Sequence, residues 1–266
     1  MRLMLIIALS TILTGRIHAK ERITITGSST IAPGMSDLAK LYEKKNKLRI
    51  DVQTGGSSRG ILDARKGLAQ IGMVSRSLKE SEKDLHGFVI AKDGLAIIVH
   101  KSNTVKELSF EQIRNIYLGK IKNWNEVGGL DLPIVIVNKA EGRSTLELFL
   151  KFFKLKNSKI KASIIIGDNE QGIKTVSKNK NAIAYVSIGA AEYNASVGTP
   201  LKLLKYKGID ASVKNVENGS YPLMRDLTVV TKSKPKGAVD KFIKFLLSKK
   251  SETIIKDHYF VPINKP

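Results

Sequence analysis

Three short turns rich in glycine, serine and threonine hold the residues best suited to bind an anion. They read Gly27-Ser28-Ser29-Thr30, Gly55-Gly56-Ser57-Ser58-Arg59-Gly60 and Gly142-Arg143-Ser144-Thr145, and each follows a strand-like run and precedes a helix-like run. Glycine lets a ligand approach the backbone N–H groups, and serine and threonine add hydroxyls. The N-terminus of a helix favours negative charge. Three such turns in one chain predict that several helix N-termini meet around one small oxyanion.

The second turn also fits a different chemistry. Its Gly56-x-Ser58-x-Gly60 spacing matches the nucleophile turn of serine hydrolases, with Ser58 as the nucleophile. A triad would need a histidine later in the chain, and the candidates are His86, His100 and His258. No HGGG-type oxyanion segment is present, and glycine followed by serines suits helix capping equally well. A hydrolase is therefore the weaker alternative, and we expect Ser58 to be a cap.

The sequence contains no motif typical of a metal site or a nucleotide site. The chain has no cysteine, which excludes disulfides, thiolate metal sites and a lipid anchor on cysteine. It has no Walker-type phosphate loop and no paired His, Asp or Glu spacing typical of a metal site. We expect neither a metal nor a cofactor.

The N-terminal residues have the pattern of a secretory signal peptide. Arg2 is followed by an apolar run from Leu3 to Leu13, and Ala19 offers a cleavage point before Lys20. The run is too short to span a bilayer comfortably, although a membrane anchor or an N-terminal core helix is the alternative. We expect residues 1–19 to be removed, leaving a soluble chain outside the cytoplasm.

The chain is strongly basic, with a formal net charge of +21. Such a charge could indicate binding to nucleic acid or membranes. The lysines are scattered rather than clustered, however, and aromatic residues are only 6% of the chain, so platforms for base stacking are not expected. We interpret the charge as a lysine-rich surface that raises the local concentration of a small anion.

Strand and helix patterns alternate along the chain, which predicts an α/β fold with parallel sheets. Predicted strands cover residues 22–26, 48–54, 70–74, 94–100, 133–138, 182–186 and 227–231. Predicted helices cover residues 31–44, 58–66, 109–117, 144–153, 169–178 and 236–248, and residues 205–221 are predicted as a loop. Ligands of open α/β sheets bind beyond the carboxyl ends of the strands, where the three turns would lie.

Six sequence pieces resemble the periplasmic phosphate-binding proteins of ABC transporters. They are TGSST from Thr26, GGSS from Gly55, IGMVSR from Ile71, LSFEQIRNIYLGKIKNWNEVGG from Leu108, KAEGRSTLELF from Lys139 and YPLMRDL from Tyr221. Their order and spacing cover nearly the whole chain after residue 19. The resemblance implies the type II periplasmic-binding-protein fold, with two lobes, each a mostly parallel sheet with helices on both faces.

The resemblance also implies a domain organisation and a function. The first lobe would comprise residues 20–100 and 206–266, and the second lobe residues 101–205. The lobes would close on inorganic phosphate, and a monomer would deliver it to the membrane subunits of an ABC permease without making or breaking a bond. A sensor of phosphate, or a receptor for another oxyanion such as sulfate or molybdate, is the alternative within this family.

Some expected site residues follow from the resemblance by position, namely Thr30, Ile31 and Ser57, and the others from the charges and hydroxyls in and near the turns. The full set is Ser29, Thr30 and Ile31 in the first turn, Ser57 and Ser58 in the second, Ser75 and Arg76 after the third strand, and Lys139, Arg143, Ser144 and Thr145. The alternatives stay open: Arg76 could form an ion pair, Lys139 could be solvated, and the hydroxyl residues could simply cap helices.

Two of these positions depart from the family pattern. The third turn usually reads Arg-x-x-Gly-Ser-Gly-Thr, whereas this chain has Lys139 in place of the arginine and a new arginine at Arg143. Many family members have an aspartate where this chain has Ser75. A carboxylate at that position would repel a fully ionised anion, so its absence weakens the expected preference for phosphate over sulfate.

Overall fold

The computed structural model describes residues 21–263, in which strands and helices alternate. The strands are β1 (Glu21–Gly27), β2 (Leu48–Thr54), β3 (Ile71–Val74), β4 (His86–His100), β5 (Val135–Lys139), β6 (Ile164–Ile166), β7 (Ala182–Ser187), β8 (Leu201–Leu203), β9 (Met224–Thr231) and β10 (Val261–Pro262). The helices are α1 (Ala32–Glu43), α2 (Ser57–Lys66), α3 (Phe110–Tyr117), α4 (Ser144–Phe152), α5 (Asn169–Lys178), α6 (Ile188–Ser196), α7 (Val213–Glu217), α8 (Gly237–Leu246) and α9 (Lys249–Asp257). The alternation confirms the α/β class.

Local sequence explains several helix ends. Ser109 caps α3, accepting a hydrogen bond from the backbone N–H of Gln112, whose side chain reaches back in a capping box. Asp168 caps α5 by accepting a hydrogen bond from the backbone N–H of Gln171. Gly67 ends α2 in the left-handed conformation, with φ of 73°, which glycine adopts without steric cost. These are the start and stop signals that the sequence displays.

The strands form a mixed sheet with the order β2-β1-β3-β9-β4-β7-β5-β6, while β8 and β10 pair with β4. β1 is parallel to β2 and β3, and β5 is parallel to β6 and β7. β9 runs antiparallel to both β3 and β4, and β4 runs antiparallel to β7. The parallel pairs lie towards the two ends of the strand order, and the long strands β4 and β9 introduce the antiparallel pairs between them.

Buried apolar side chains form two large cores, one on each side of this arrangement. The first core takes residues from β1, α1, β3, β9 and α8, and the second from α3, β5, α4 and β7. The chain changes core within β4, between Ala91 and Leu95, and returns between Leu223 and Leu227. Residues 206–223, expected to return to the first lobe, thus contribute Tyr206 and Tyr221 to the second core. The lobe limits near residues 100 and 205 stay a prediction.

The fold differs from the predicted elements in several places, and the short strands β6, β8 and β10 were not predicted. β4 begins at His86 and not near residue 94, and the predicted loop at 205–221 contains α7. The helices α6 and α9 were not predicted, because each follows the preceding element without glycine or proline as a boundary signal. Ser187 is the last residue of β7 and also the N-cap of α6, where its side chain accepts a hydrogen bond from the N–H of Ala190. No helix within residues 21–263 is long and apolar enough to cross a membrane.

The topology brings four strand-to-helix turns to one place between the cores. β1 leads to α1, β2 to α2, β5 to α4 and β6 to α5, and all four strands belong to parallel pairs. Carboxyl ends of parallel strands lie at the same edge of a sheet, so the N-termini of the following helices lie together. The turn between β6 and α5, at residues 167–168, was not among the three turns recognised in the sequence.

Candidate binding site between the two lobes

A small cavity lies where these helix N-termini meet. From the side of the first core it is lined by Ser28, Ser29, Thr30, Gly56, Ser57 and Ser75. From the side of the second core it is lined by Lys139, Arg143, Ser144, Thr145 and Gly167. The space between the lining atoms is about 210 Å³, counted with the open mouth of the cavity. The lining contains cations, hydroxyls and glycines but no carboxylate.

Two of the helices present uncapped N-termini to this cavity. α2 begins after Gly56 and α4 begins after Arg143, and neither residue accepts a hydrogen bond from the helix through its side chain. The first N–H groups of a helix have no partner within the helix, and the helix dipole adds partial positive charge there. Both features favour an anion in the cavity.

Close approach of the two sides depends on glycine at position 56. Gly56 has φ of 91°, and a Cβ atom there would lie 2.6 Å from the carbonyl oxygen of Gly142 across the cavity. The backbone N–H of Ser58 donates to that same oxygen at 3.2 Å. A side chain at Gly56 would therefore force the two turns apart.

Lys139 is a buried cation of the cavity, with 3% of its surface exposed. Its Nζ donates to the backbone oxygen of Asp168 at 3.0 Å and to Oδ1 of Asn169 at 3.2 Å. Burial, and then the charge of Arg225, lower the pKa of Lys139 to about 7. An anion beside Lys139 would favour its charged form, so binding of the anion and protonation of Lys139 support each other.

Arg143 places an unmatched charge on the same cavity. Its guanidinium makes no hydrogen bond or ion pair with any residue in the range 21–263, although the side chain is half-buried. A Cβ atom on Gly167 would lie 3.3 Å from Nη2 of Arg143, so glycine at 167 leaves room for the guanidinium. An arginine at the N-terminus of α4 opposes the helix dipole. A bound anion would compensate both the charge of Arg143 and the partial positive charge at the N-terminus of α4.

A third cation, Arg225, lies beside the cavity and was missed as a site residue. Its Nε and Nη2 donate to Oδ2 of Asp93 at 3.0 and 2.6 Å, in a pair whose side chains are 1% and 0% exposed. Nη1 donates to Oγ1 of Thr145 at 3.0 Å, and Nη2 lies 3.4 Å from Oγ1 of Thr30. The sequence offered one signal, because Arg225 lies in the YPLMRDL piece. Nothing in the sequence indicated Asp93 as its partner.

Several hydroxyls of the cavity are already committed as hydrogen-bond acceptors. Oγ of Ser28 accepts from the N–H groups of Thr30 and Ile31 at 3.2 and 3.3 Å, and Oγ of Ser57 accepts from the N–H of Ser75 at 3.2 Å. Their protons are left to donate. Oγ of Ser144 is buried and has no hydrogen-bond partner among residues 21–263. A ligand rich in acceptor oxygens would satisfy these groups.

Three residues expected at the site, Ile31, Arg76 and Ser58, do not line the cavity. The N–H of Ile31 is directed to Ser28, as described above. Arg76 is buried, but its guanidinium donates to both oxygens of Glu82 at 2.6 and 2.9 Å, and its Nε lies 2.9 Å from Oε2 of Glu147. Burial alone would lower the pKa of Arg76, but the hydrogen bonds and charges of these two carboxylates raise it. The ion-pair alternative therefore describes Arg76, because two acidic side chains already neutralise its charge.

Ser58 is also turned away from the cavity. It is exposed, and its Oγ donates to Oε1 of Glu147 at 3.4 Å. His258 is hydrogen-bonded to Asp37 at 3.0 Å, and His100 to Ser102 at 2.8 Å. In the described part of the chain no histidine is hydrogen-bonded to Ser58, so the GxSxG spacing does not assemble a triad there.

Glu147 connects the two sides at the rim of the cavity. It lies in α4, whereas its partners Arg76 and Lys79 follow β3, and Oε2 lies 2.9 and 2.8 Å from their nitrogens. Asn169 makes a second such contact through its Nδ2, which donates to Oγ1 of Thr30 at 3.2 Å. The two sides are thus held together around the cavity by polar contacts that separation would break.

The described residues contain no group of histidine, aspartate and glutamate side chains arranged to hold a metal ion. Lys139 and Arg143 line the cavity, the pair of Arg225 and Asp93 lies beside it, and Glu147 at the rim is paired with Arg76 and Lys79. Their sum is positive, so the site is suited chemically to a small anion with several acceptor oxygens.

Comparison with known proteins identifies the family. The model of the PBP superfamily domain matches residues 14–250. A phosphate-binding protein PstS of Staphylococcus epidermidis is 32% identical over 241 residues, which cover 83% of this chain and 73% of the relative. Among solved structures, a putative phosphate ABC transporter substrate-binding protein from Clostridium perfringens with bound phosphate is 34% identical. It has a TM-score of 0.84 and covers 92% of this chain and 100% of its own.

An ABC-type phosphate transport receptor from Vibrio cholerae is 32% identical to this chain, with a TM-score of 0.75, and the match covers 91% of this chain and 100% of that one. The range matched by the family model, residues 14–250, includes all the turns that line the cavity. The chain therefore belongs to the PBP superfamily and, within it, to the family of the phosphate-binding proteins PstS.

Proposed function

We propose that this protein captures inorganic phosphate in the cavity between its two lobes and delivers it to an ABC permease. One observation carries the proposal. Arg143 and Lys139 bring positive charge to a cavity formed by two uncapped helix N-termini, where the buried hydroxyl of Ser144 has no partner in the described part of the chain. The relatives named for phosphate binding or phosphate transport support the same ligand.

The anion site proposed here includes nine residues of the cavity. They are Ser28, Ser29, Thr30, Ser57, Ser75, Lys139, Arg143, Ser144 and Thr145. The uncapped N–H groups, the hydroxyl protons and the cations are all donors, and phosphate oxygens are good acceptors. Because Ser75 supplies no carboxylate, the cavity has no fixed negative charge in its lining to repel sulfate. Sulfate is therefore the informative competitor.

Capture would be accompanied by closure of the lobes about the strands that connect them. The cores change within β4 and at the start of β9, so we propose that the hinge lies near Asp93 and near Arg225. We further propose that the protein acts outside the cytoplasm. The signal peptide predicted for residues 1–19 supports this, and it lies outside the described residues.

Titration calorimetry of the chain starting at Lys20 tests the proposal. Phosphate should bind with one site per chain and should raise the unfolding temperature with increasing concentration, and titrations with sulfate, molybdate and arsenate measure the anion preference. The matched control is a chain with Arg143→Ala and Lys139→Met together, which should lose most of the heat. Tight binding of another anion without binding of phosphate would overturn the proposal.

A further inference from the structure

The buried pair of Arg225 and Asp93 occupies the junction between the lobes, next to the cavity but outside its lining. We infer that Arg225 is a positioning residue that turns the hydroxyl protons of Thr30 and Thr145 towards the bound anion. This inference rests on the proposed function, because it assigns a role in binding phosphate. It gives each lobe one hydroxyl whose direction is set by the same guanidinium.

The guanidinium is held in one orientation. Asp93 accepts from two of its nitrogens through Oδ2, while Oδ1 of Asp93 accepts from the N–H of Gly189 at 3.3 Å. A third guanidinium nitrogen, Nη1, lies 3.5 Å from the backbone oxygen of Ser75. Both charged side chains are almost completely buried, so no water competes for these bonds. The direction of the remaining N–H groups is therefore fixed by the fold.

Those remaining N–H groups decide the direction of the Thr145 hydroxyl. Arginine has donors and no acceptor, so a hydroxyl beside it can only accept. Oγ1 of Thr145 accepts from Nη1 of Arg225 at 3.0 Å. The single proton of the hydroxyl must then point to a different acceptor, and within residues 21–263 it has none. Thr145 lines the cavity and is 4% exposed, which leaves the cavity as the place for that acceptor.

The same argument determines the direction of the Thr30 hydroxyl on the first lobe. Its Oγ1 accepts from Nη2 of Arg225 at 3.4 Å and from Nδ2 of Asn169 at 3.2 Å. Both lone pairs of the oxygen are then engaged, so the hydroxyl acts purely as a donor. It has no acceptor in the described part of the chain and is 6% exposed. An anion oxygen between Thr30 and Thr145 would satisfy both protons at once.

A purely structural role for the pair would have different consequences. Asp93 and Arg225 join β4 to β9, so they could simply stabilise the strands that connect the lobes. Removing them would then weaken every contact to the anion by a common factor. Positioning predicts instead that the loss is specific to the two threonine hydroxyls. A double-mutant cycle on phosphate affinity separates these cases.

The cycle compares each threonine variant in the parent chain and in a chain with D93N and R225Q. Both charges are removed together, because removing Arg225 alone would leave Asp93 buried without a partner. Glutamine can pair with the new asparagine but is too short to reach both hydroxyls as well. In the parent, Thr145→Val and Thr30→Val should each reduce phosphate affinity at least ~10-fold, as expected for a hydrogen bond to a charged acceptor. In the D93N/R225Q chain, each of these two substitutions should reduce phosphate affinity less than ~3-fold.

Ser57→Ala is the matched control, since the Ser57 hydroxyl accepts from the N–H of Ser75 and does not touch Arg225. The reduction in phosphate affinity caused by Ser57→Ala should be the same in the parent and in the D93N/R225Q chain. If D93N/R225Q does not fold, judged by its unfolding transition, R225K replaces it, because one ammonium group cannot hold Asp93 and both threonines. Equal losses for the threonine variants in both backgrounds would overturn the inference. A parent chain that binds no phosphate would instead overturn the proposed function, and the inference with it.

Discussion

Replacement of Arg143 by alanine is the sharpest test of the anion site. The guanidinium lines the cavity, has no partner within residues 21–263, and faces room left by Gly167. Lys139, in contrast, already donates to Asp168 and Asn169, so the bound anion depends more on Arg143 for a direct charge. We expect Arg143→Ala to weaken phosphate binding while leaving the fold intact, since the guanidinium makes no hydrogen bond or ion pair within residues 21–263.

The magnitude follows from the environment of the guanidinium. Removing one partner of a buried charge pair costs about 2–5 kcal/mol. Arg143 is half-buried, so water partly screens the pair and the lower end of this range applies. A cost of about 2 kcal/mol corresponds to ~30-fold in affinity, because about 1.4 kcal/mol is tenfold. Arg143→Lys should recover only part of the loss, since an ammonium cannot form the two parallel hydrogen bonds of a guanidinium.

The assay is titration calorimetry with phosphate at fixed pH and salt, accompanied by thermal unfolding without phosphate. Arg49→Ala is the matched control, because Arg49 is a largely exposed arginine of β2 outside the cavity lining and its loss changes the net charge equally. The control should bind within ~2-fold of the parent, which would show that the general field is a minor factor. The reasoning is refuted if Arg143→Ala binds phosphate as well as the parent while Lys139→Ala does not.

Three further predictions concern other residues of the site. Ser58→Ala should change the free energy of unfolding or phosphate binding by at most about 2 kcal/mol, and a fluorophosphonate probe should not label Ser58 in the parent; stoichiometric labelling would revive the hydrolase alternative. Glu147→Gln should speed phosphate release ~2- to 5-fold in stopped-flow measurements, because a part-exposed contact between the lobes is lost, and an unchanged rate would exclude that role. For Lys139, the lowered pKa means that the unfolded chain binds more protons than the folded chain above about pH 7, so stability rises with pH up to the unfolded value near 10.4. In urea unfolding without phosphate, the free energy of unfolding of the parent should rise by about 2 kcal/mol more than that of Lys139→Met between pH 6.5 and 8.5. An equal rise in both chains would contradict the lowered pKa of Lys139.

Much of the architecture was accessible from the sequence because its signals are local. Alternating strand and helix patterns predicted the α/β class, and the cap at Ser109 marked the start of α3. The three glycine-rich turns were expected to meet, and they do so at one cavity. Glycine, a hydroxyl and a helix start are read over a few residues, so backbone conformation and chemistry are encoded together there.

Long-range pairing decided the rest. Arg76 was a candidate ligand until the fold placed Glu82 and Glu147 beside it. Arg225 and Asp93 are 132 residues apart in sequence, and neither has a local pattern that names the other. A charged side chain contributes its charge wherever it lies, but the fold determines whether a protein carboxylate or a ligand neutralises it. The sequence by itself thus determined which donors the chain could offer to an anion. Only the tertiary structure decided which of them remain free, because hydrogen-bond partners are set by proximity in space and not by spacing along the chain.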